Sequence, residues 1–176
     1  MMAAMAPLDD EPAGPVAGDD LAAAYQDHYR SLVRLASLLV DDVGQCEEIV
    51  QDAFVKVWRR PPDLSAPDRL PAYLRSAVLN GARSHLRHRV VERRHLRSVA
   101  SSSVAPEGRA TTGDDDRVLA ALRSLPDRQR EVLALRYYLD LSEAEIAETL
   151  GVSAGSVKTH AHRGLATLAE RLEDLR

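Results

Sequence analysis

The chain is 176 residues long, 45% hydrophobic and 28% charged, which fits one medium or two small globular domains and excludes a wholly disordered chain. No run approaches about 18 consecutive apolar residues, so membrane insertion is not expected. The single cysteine, Cys46, excludes an intramolecular disulfide framework and by default is a small core hydrophobe. The net charge of −4 gives no whole-chain signal for nucleic acid, but Arg69 to Arg97 holds eight arginines against one acid, Glu92, a local balance of +7. Of 23 basic residues only Lys56 and Lys158 are lysine, which with the abundant alanine points to a GC-rich genome.

Residues 1–20 carry five acids and no base, the reverse of a secretory signal, and read as a disordered tail of a cytoplasmic protein. From Leu21 onward, Tyr25, Tyr29, Leu32, Ala36 and Leu39 recur at helical spacing and predict an amphipathic helix. Asp41 and Asp42 are cap candidates for a second helix, with Glu47 and Glu48 in its early turns. Its expected buried stripe is Cys46, Ile49, Val50, Ala53, Phe54 and Val57, ending near Trp58.

Pro61, Pro62 and Pro67 prevent a helix across 61–67, because proline lacks the N–H and clashes with the preceding turn; a constrained loop is predicted. Asp68 is the expected cap of a third helix, with Pro71 in its first turn and Leu70, Tyr73, Leu74, Ala77 and Val78 facing inward. Ser76, Asn80, Arg83 and Arg87 share another face at spacings of four, three and four. His85, His88, Arg89, Arg93 and Arg94 continue its basic end.

Residues 98–116, rich in Ser, Thr, Gly and Asp, read as a flexible linker with a reach of roughly 60 Å. Val118, Leu119, Leu122 and Leu125 begin a second unit. Pro126 stands near the start of a further helix containing Val132, Leu133 and Leu135.

Leu141 to Arg163 predicts two short helices joined by a tight turn. Ser142 with Glu145 forms a capping box. Ile146, Ala147 and Leu150 share a face, and Gly151 supplies the left-handed stop. Ser153 caps the next helix, with Val157, Ala161, Leu165, Leu168 and Leu172 as the inward stripe. Ser156, Lys158, Thr159, His162 and Arg163 lie opposite, and such small, hydrogen-bonding and cationic groups suit base edges and phosphates in a major groove. The fold class is all-α: two small helical domains, the second a helix-turn-helix domain, spanning 21–97 and 117–176 and joined by the linker.

The segments EEIVQDAFVKVWRR, PAYLRSAVLNGARSHLRHR and LRSLPDRQREVLALRYYLDLSEAEIAETLGVSAGSVKTHAHRG, in that order, resemble bacterial sigma factors of the extracytoplasmic-function group. That resemblance implies a transcription initiation factor that binds core RNA polymerase, reads a −35 duplex and stabilises a melted −10 element. It assigns Glu48, Gln51, Asp52, Val55 and Arg59 to the clamp helices of the polymerase largest subunit, with Trp58 straddling core and contact and Phe54 in the core. Asp63, Leu64, Ser76, Asn80, Arg83 and Arg87 are assigned to the −10 strand, and Ser156, Lys158, Thr159, His162 and Arg163 to the −35 duplex. Tyr73 stands where relatives often have tryptophan, and His160 and Ala161 also depart from the usual pattern. The resemblance further implies promoter DNA and an anti-sigma factor as partners, with no cofactor.

A stand-alone helix-turn-helix regulator is the alternative; it leaves the helix at 47–60 and the basic helix at 69–97 without a role. An enzyme is not indicated. The histidine pairs at 85/88 and 160/162 fall on polar, basic faces, no acid cluster or second cysteine completes a metal site, and no glycine-rich phosphate loop is present.

Overall fold

The computed structural model describes residues 18–59, 69–99 and 113–173, with the side chains of 18–20, of 92–99 and of Asp114 left aside. These residues form seven helices and no strand: α1 Gly18–Leu39, α2 Val43–Arg59, α3 Arg69–Val99, α4 Asp114–Arg123, α5 Asp127–Tyr137, α6 Glu143–Leu150 and α7 Ala154–Glu173. Residues 1–17 of the expected tail, the loop carrying Asp63, Leu64 and the Asp68 cap, and most of the linker lie outside the described residues; Gly18, Asp19 and Asp20, expected in the tail, instead open α1.

In the first domain α1, α2 and α3 pack against one another. Asp42 accepts a hydrogen bond from the Gln45 backbone N–H at 3.0 Å, satisfying one of the free donors that open α2. All six residues of the expected α2 stripe are buried, and they meet Leu32, Leu35, Ala36 and Leu39 of α1 and Leu70, Leu74 and Val78 of α3. Tyr25 is less enclosed than its spacing suggests, at 41% exposure. It stacks on Tyr29 with ring centroids 4.6 Å apart and meets Phe54 edge-on at 5.0 Å, an aromatic lid on the end of the core. Tyr73, expected inward, is also partly exposed.

In the second domain, α4 starts with Asp114, Asp115 and Asp116, which the sequence reading left in the linker. Acidic residues in a first turn favour the helix by facing its positive end. The helix-turn-helix is built as expected. The Glu145 N–H donates to Ser142 Oγ at 3.3 Å; the Ser142 hydroxyl at 2.7 Å and then the Ser142 N–H at 2.8 Å donate to Glu145 Oε2, and these two bonds hold the Glu145 carboxyl below the ordinary carboxylate range. Gly151 closes α6 at φ 64°, and Ser153 Oγ accepts the Ser156 N–H at 3.1 Å.

The inward stripe of α7 differs from expectation at one place. Val157, Ala161 and Gly164 are buried, while Leu165 is 42% exposed. Gly164 is the point where α7 meets α5: a Cβ there would stand 3.1 Å from Leu133 Cδ1 and 3.2 Å from Gln129 Cβ. A hydrophobicity pattern passes over a glycine whose value is that it occupies no space.

The two domains pack against each other. Helices α4 and α5 touch α1, and α6 touches α3. The buried core runs from Leu74 and Val78 through Val132, Leu135 and Ile146 without a break between the domains. Arg123 of α4 donates from Nε to the Ser37 carbonyl of α1 at 3.1 Å; burial lowers its guanidinium pKa, opposed by Asp41.

Candidate nucleic-acid interface

Three surfaces carry the residues singled out from the sequence. The first is the outer face of α7. The α6–α7 turn and the Ser153 cap fix the start of α7, whose first turns bury Val157 and Ala161 and turn their opposite side outward. Lys158, Thr159, His162 and Arg163 are exposed there, and Ser156 is half-buried. Ser156 Oγ lies 2.9 Å from Ser153 Oγ, and the Thr159 hydroxyl donates to the Gly155 carbonyl at 3.0 Å. The two hydroxyls therefore serve the helix itself. Lys158 Nζ stands 3.6 Å from Glu143 Oε2, a loose pair that water and salt screen readily. The face presents the cationic Lys158 and Arg163 with the polar Thr159 and His162 between them, an arrangement a major groove accepts.

The second surface is the polar face of α3. Ser76, Asn80 and Arg83 are aligned as expected; the second domain engages Ser76 and Arg83, while Asn80 stays exposed. Ser76 Oγ donates to the Thr149 carbonyl of α6 at 2.9 Å. Arg83 holds Glu131 of α5 through two parallel bonds, Nε to Oε1 and Nη2 to Oε2, the latter at 2.7 Å. Arg83 Nη1 also donates to Asn80 Oδ1 at 2.8 Å. Arg87, one turn further on, is exposed. On the same helix Arg75 is half-buried with its Nε unpaired among the described residues; burial lowers its pKa against the opposing pull of Glu145 and Glu148. Arg89 pairs with Asp41. Burial alone would raise the Asp41 carboxyl, but the Arg89 hydrogen bond and charge, helped by Arg123, hold it below its ordinary value.

Glu131 is the residue the sequence reading missed. It is 2% exposed, with Arg128 as a further partner at 3.3 Å. A signal was present: Glu131 stands one residue before Val132 and four before Leu135, both fully buried, so an acid occupies the apolar side of its helix. Such an acid needs a cationic partner from elsewhere.

The third surface is the outside of α2. Glu48, Gln51, Asp52, Val55 and Arg59 are all exposed, opposite the buried stripe. Phe54 is core, whereas Trp58 is 61% exposed. Asp63 and Leu64 lie outside the described residues.

Comparison with known proteins matches residues 24–90 to the model for Sigma-70 region 2 and residues 115–168 to that for Sigma-70, region 4. The chain is 34% identical over 145 residues to an RNA polymerase sigma-E factor of Streptomyces avermitilis, covering 81% of this chain and 79% of that protein. It is 30% identical over 162 residues to the ECF RNA polymerase sigma factor SigL of Mycobacterium tuberculosis, covering 88% and 90%. Among solved structures it resembles the sigma factor RpoE of Bartonella quintana in complex with the anti-sigma factor NepR, at 25% identity and TM-score 0.70 over 90% of this chain and 99% of that one. It also resembles CnrH in complex with the cytosolic domain of CnrY, at 27% identity and TM-score 0.65 over 88% of each chain. The shared domains and the relatives' length of match agree with the order of motifs: this chain belongs to the extracytoplasmic-function group of sigma-70 factors, which bind core RNA polymerase and direct it to promoters.

Proposed function

We propose a division of labour at residue level within that activity. Lys158, Thr159, His162 and Arg163, with Ser156 at the helix start, contact the −35 duplex. Lys158 and Arg163 take guanine edges or phosphates, each good bidentate base contact being worth roughly 1–3 kcal/mol of discrimination. The observation that carries this reading is the open, cationic outer face of α7 on a correctly capped helix-turn-helix.

On α3, Asn80 meets a base edge of the opened −10 strand, while Ser76, Arg83 and Arg87 hold its backbone. Asp63 and Leu64, in the proline-framed loop, capture a base turned out of the stack, and this capture offsets the few kcal/mol of unstacking. On α2, the exposed Glu48, Gln51, Asp52, Val55 and Arg59 dock on the clamp helices of the polymerase. Trp58 joins them, since tryptophan is the residue type most often found to anchor a protein interface. The chain acts without catalysis of its own, in the cytoplasm where the polymerase works. An anti-sigma factor is its counter-partner, as the relationships to RpoE and CnrH suggest.

Footprinting of the chain with core polymerase on a cognate promoter tests the assignment. Protection at −35 with permanganate reactivity at −10 is expected. Replacing Lys158 and Arg163 by alanine is expected to remove the −35 protection and leave core binding intact; equal loss of both defeats the assignment. Tight, specific duplex binding by the isolated chain favours the stand-alone regulator instead.

A further inference from the structure

We propose that Glu143 is a positioning residue that sharpens the −35 reading. Anchored by Arg136, its carboxylate tethers the Lys158 ammonium and so weakens binding to the wrong duplex more than to the right one. This rests on the assignment of Lys158 to the −35 duplex.

Glu143 is the first residue of α6, directly after the Ser142 cap. A carboxylate there faces the positive end of the helix and is favoured. Its two oxygens serve different partners. Arg136 Nη1, from the last turn of α5, donates to Oε1 at 3.3 Å. Lys158 Nζ, from the outer face of α7, stands 3.6 Å from Oε2. One acid thus links α5, α6 and α7. Its side chain is 31% exposed and that of Lys158 69%, so the carboxylate is the fixed end of the pair and the ammonium the free end.

The lysine stem is flexible and its head a compact point charge, so an untethered Lys158 reaches any phosphate nearby. The tether is loose, and it biases the ammonium without capturing it. A phosphate of any sequence must draw Lys158 off the carboxylate while bringing its own negative charge toward Glu143. A base edge engages differently. The ammonium carries three protons, so one stays with Glu143 while another goes to a guanine acceptor. The penalty imposed by the carboxylate therefore falls chiefly on phosphate contacts, which carry no sequence information. Discrimination then comes from a repulsive element as well as from an attractive one.

The test uses the full chain bound to core polymerase, as wild type, Glu143→Gln, Lys158→Gln and the double variant. Competition followed by fluorescence anisotropy gives the affinity for a cognate promoter duplex and for the same duplex with its −35 element scrambled. The ratio of the two is the discrimination. Glu143→Gln is expected to bind the scrambled duplex about threefold tighter, the factor an exposed ion pair supplies, with cognate affinity little changed. Discrimination then falls about threefold, and the fall shrinks as salt is raised. In the Lys158→Gln background, Glu143→Gln is expected to leave the ratio where it stands, because the acid acts through the lysine. A damaged helix start would lower it there too. Wild-type discrimination in Glu143→Gln, or an equal fall in both backgrounds, overturns the tether. If Lys158→Gln by itself keeps the wild-type ratio, the assignment of Lys158 to the −35 duplex fails, and the tether with it.

Discussion

The outer face of α7 and the polar face of α3 carry similar groups at similar spacing, yet one lies open and the other lies under the chain's own second domain. Lys158, His162 and Arg163 are exposed, whereas Arg83 is held by a fully buried Glu131 and Ser76 by the backbone of α6. Helical period tells which residues share a face. What covers that face is decided by a contact between residues 48 positions apart, Arg83 and Glu131. A polar, cationic stripe therefore identifies a binding surface but not whether that surface is free.

The largest expected effect falls on the open face. Replacing Lys158 and Arg163 together by alanine is expected to weaken −35 duplex binding by the polymerase-bound chain on the order of hundredfold. No change in the shape of the free chain should accompany it, because these side chains serve no domain contact. Gel-shift titration with scattering on the same sample checks both halves. An altered radius would mean that α7 takes part in closure and would erase the contrast between the two faces.

On the covered face, Arg83→Ala is expected to slow promoter opening by about tenfold, the worth of one charge-assisted contact, while closed-complex formation persists. Permanganate reactivity followed over time measures it; wild-type opening rates would remove the strand contact from α3. The next effect is confined to the second domain. Gly164→Ala is expected to cost about 1 kcal/mol net, crowding against Leu133 and Gln129 outweighing the alanine helix preference. Thermal unfolding reads this as a lower Tm, and a raised Tm would show that α5 yields freely.

The smallest effects concern titration, one of a buried thiol and one of an ion-paired carboxylate at the surface. Burial pushes the Cys46 thiol up to about 11, so the folded chain keeps its proton where an unfolded thiol, with a pKa of about 8.5, releases it. Stability is then flat below that pH and falls above it, and thiol reagents react only as fast as the first domain opens. Rapid labelling of native protein at neutral pH would contradict the burial. Asp41 has the opposite sign. Its depressed carboxyl favours the fold above about pH 4, and the contribution fades as pH falls through the folded value. Asp41→Asn should therefore lower stability slightly at pH 7 and not at pH 2–3, as denaturant titration at the two pH values will show.

Much of the fold was legible because its cues are local. The α2 stripe, the Ser142–Glu145 box, the Gly151 stop and the Ser153 cap each depend on residues within a turn or two of one another, and each stands as its spacing implies. Three features escaped for one shared reason, that side-chain size and distant partners are invisible to period. Leu165 fits the α7 stripe by type but yields to Gly164, whose lack of a side chain admits α5. The aspartates at 114–116 resemble linker composition but suit a helix start. Glu131 reads as a surface acid until Arg83 is brought to it. The −35 and polymerase faces could be outlined from sequence because they are what remains after the core is assigned. The covering of the −10 face could not, since it depends on how one domain meets the other.

Reconstituted initiation tests the account most directly. Purified chain is mixed with core polymerase and a genomic promoter library, and transcript 5′ ends are mapped. The account predicts discrete start points, each with a common duplex element upstream and an opened segment nearer the start, which vanish together when Lys158 and Arg163 are replaced. Failure of the chain to bind core polymerase, or 5′ ends no different from those made by core alone, would contradict it.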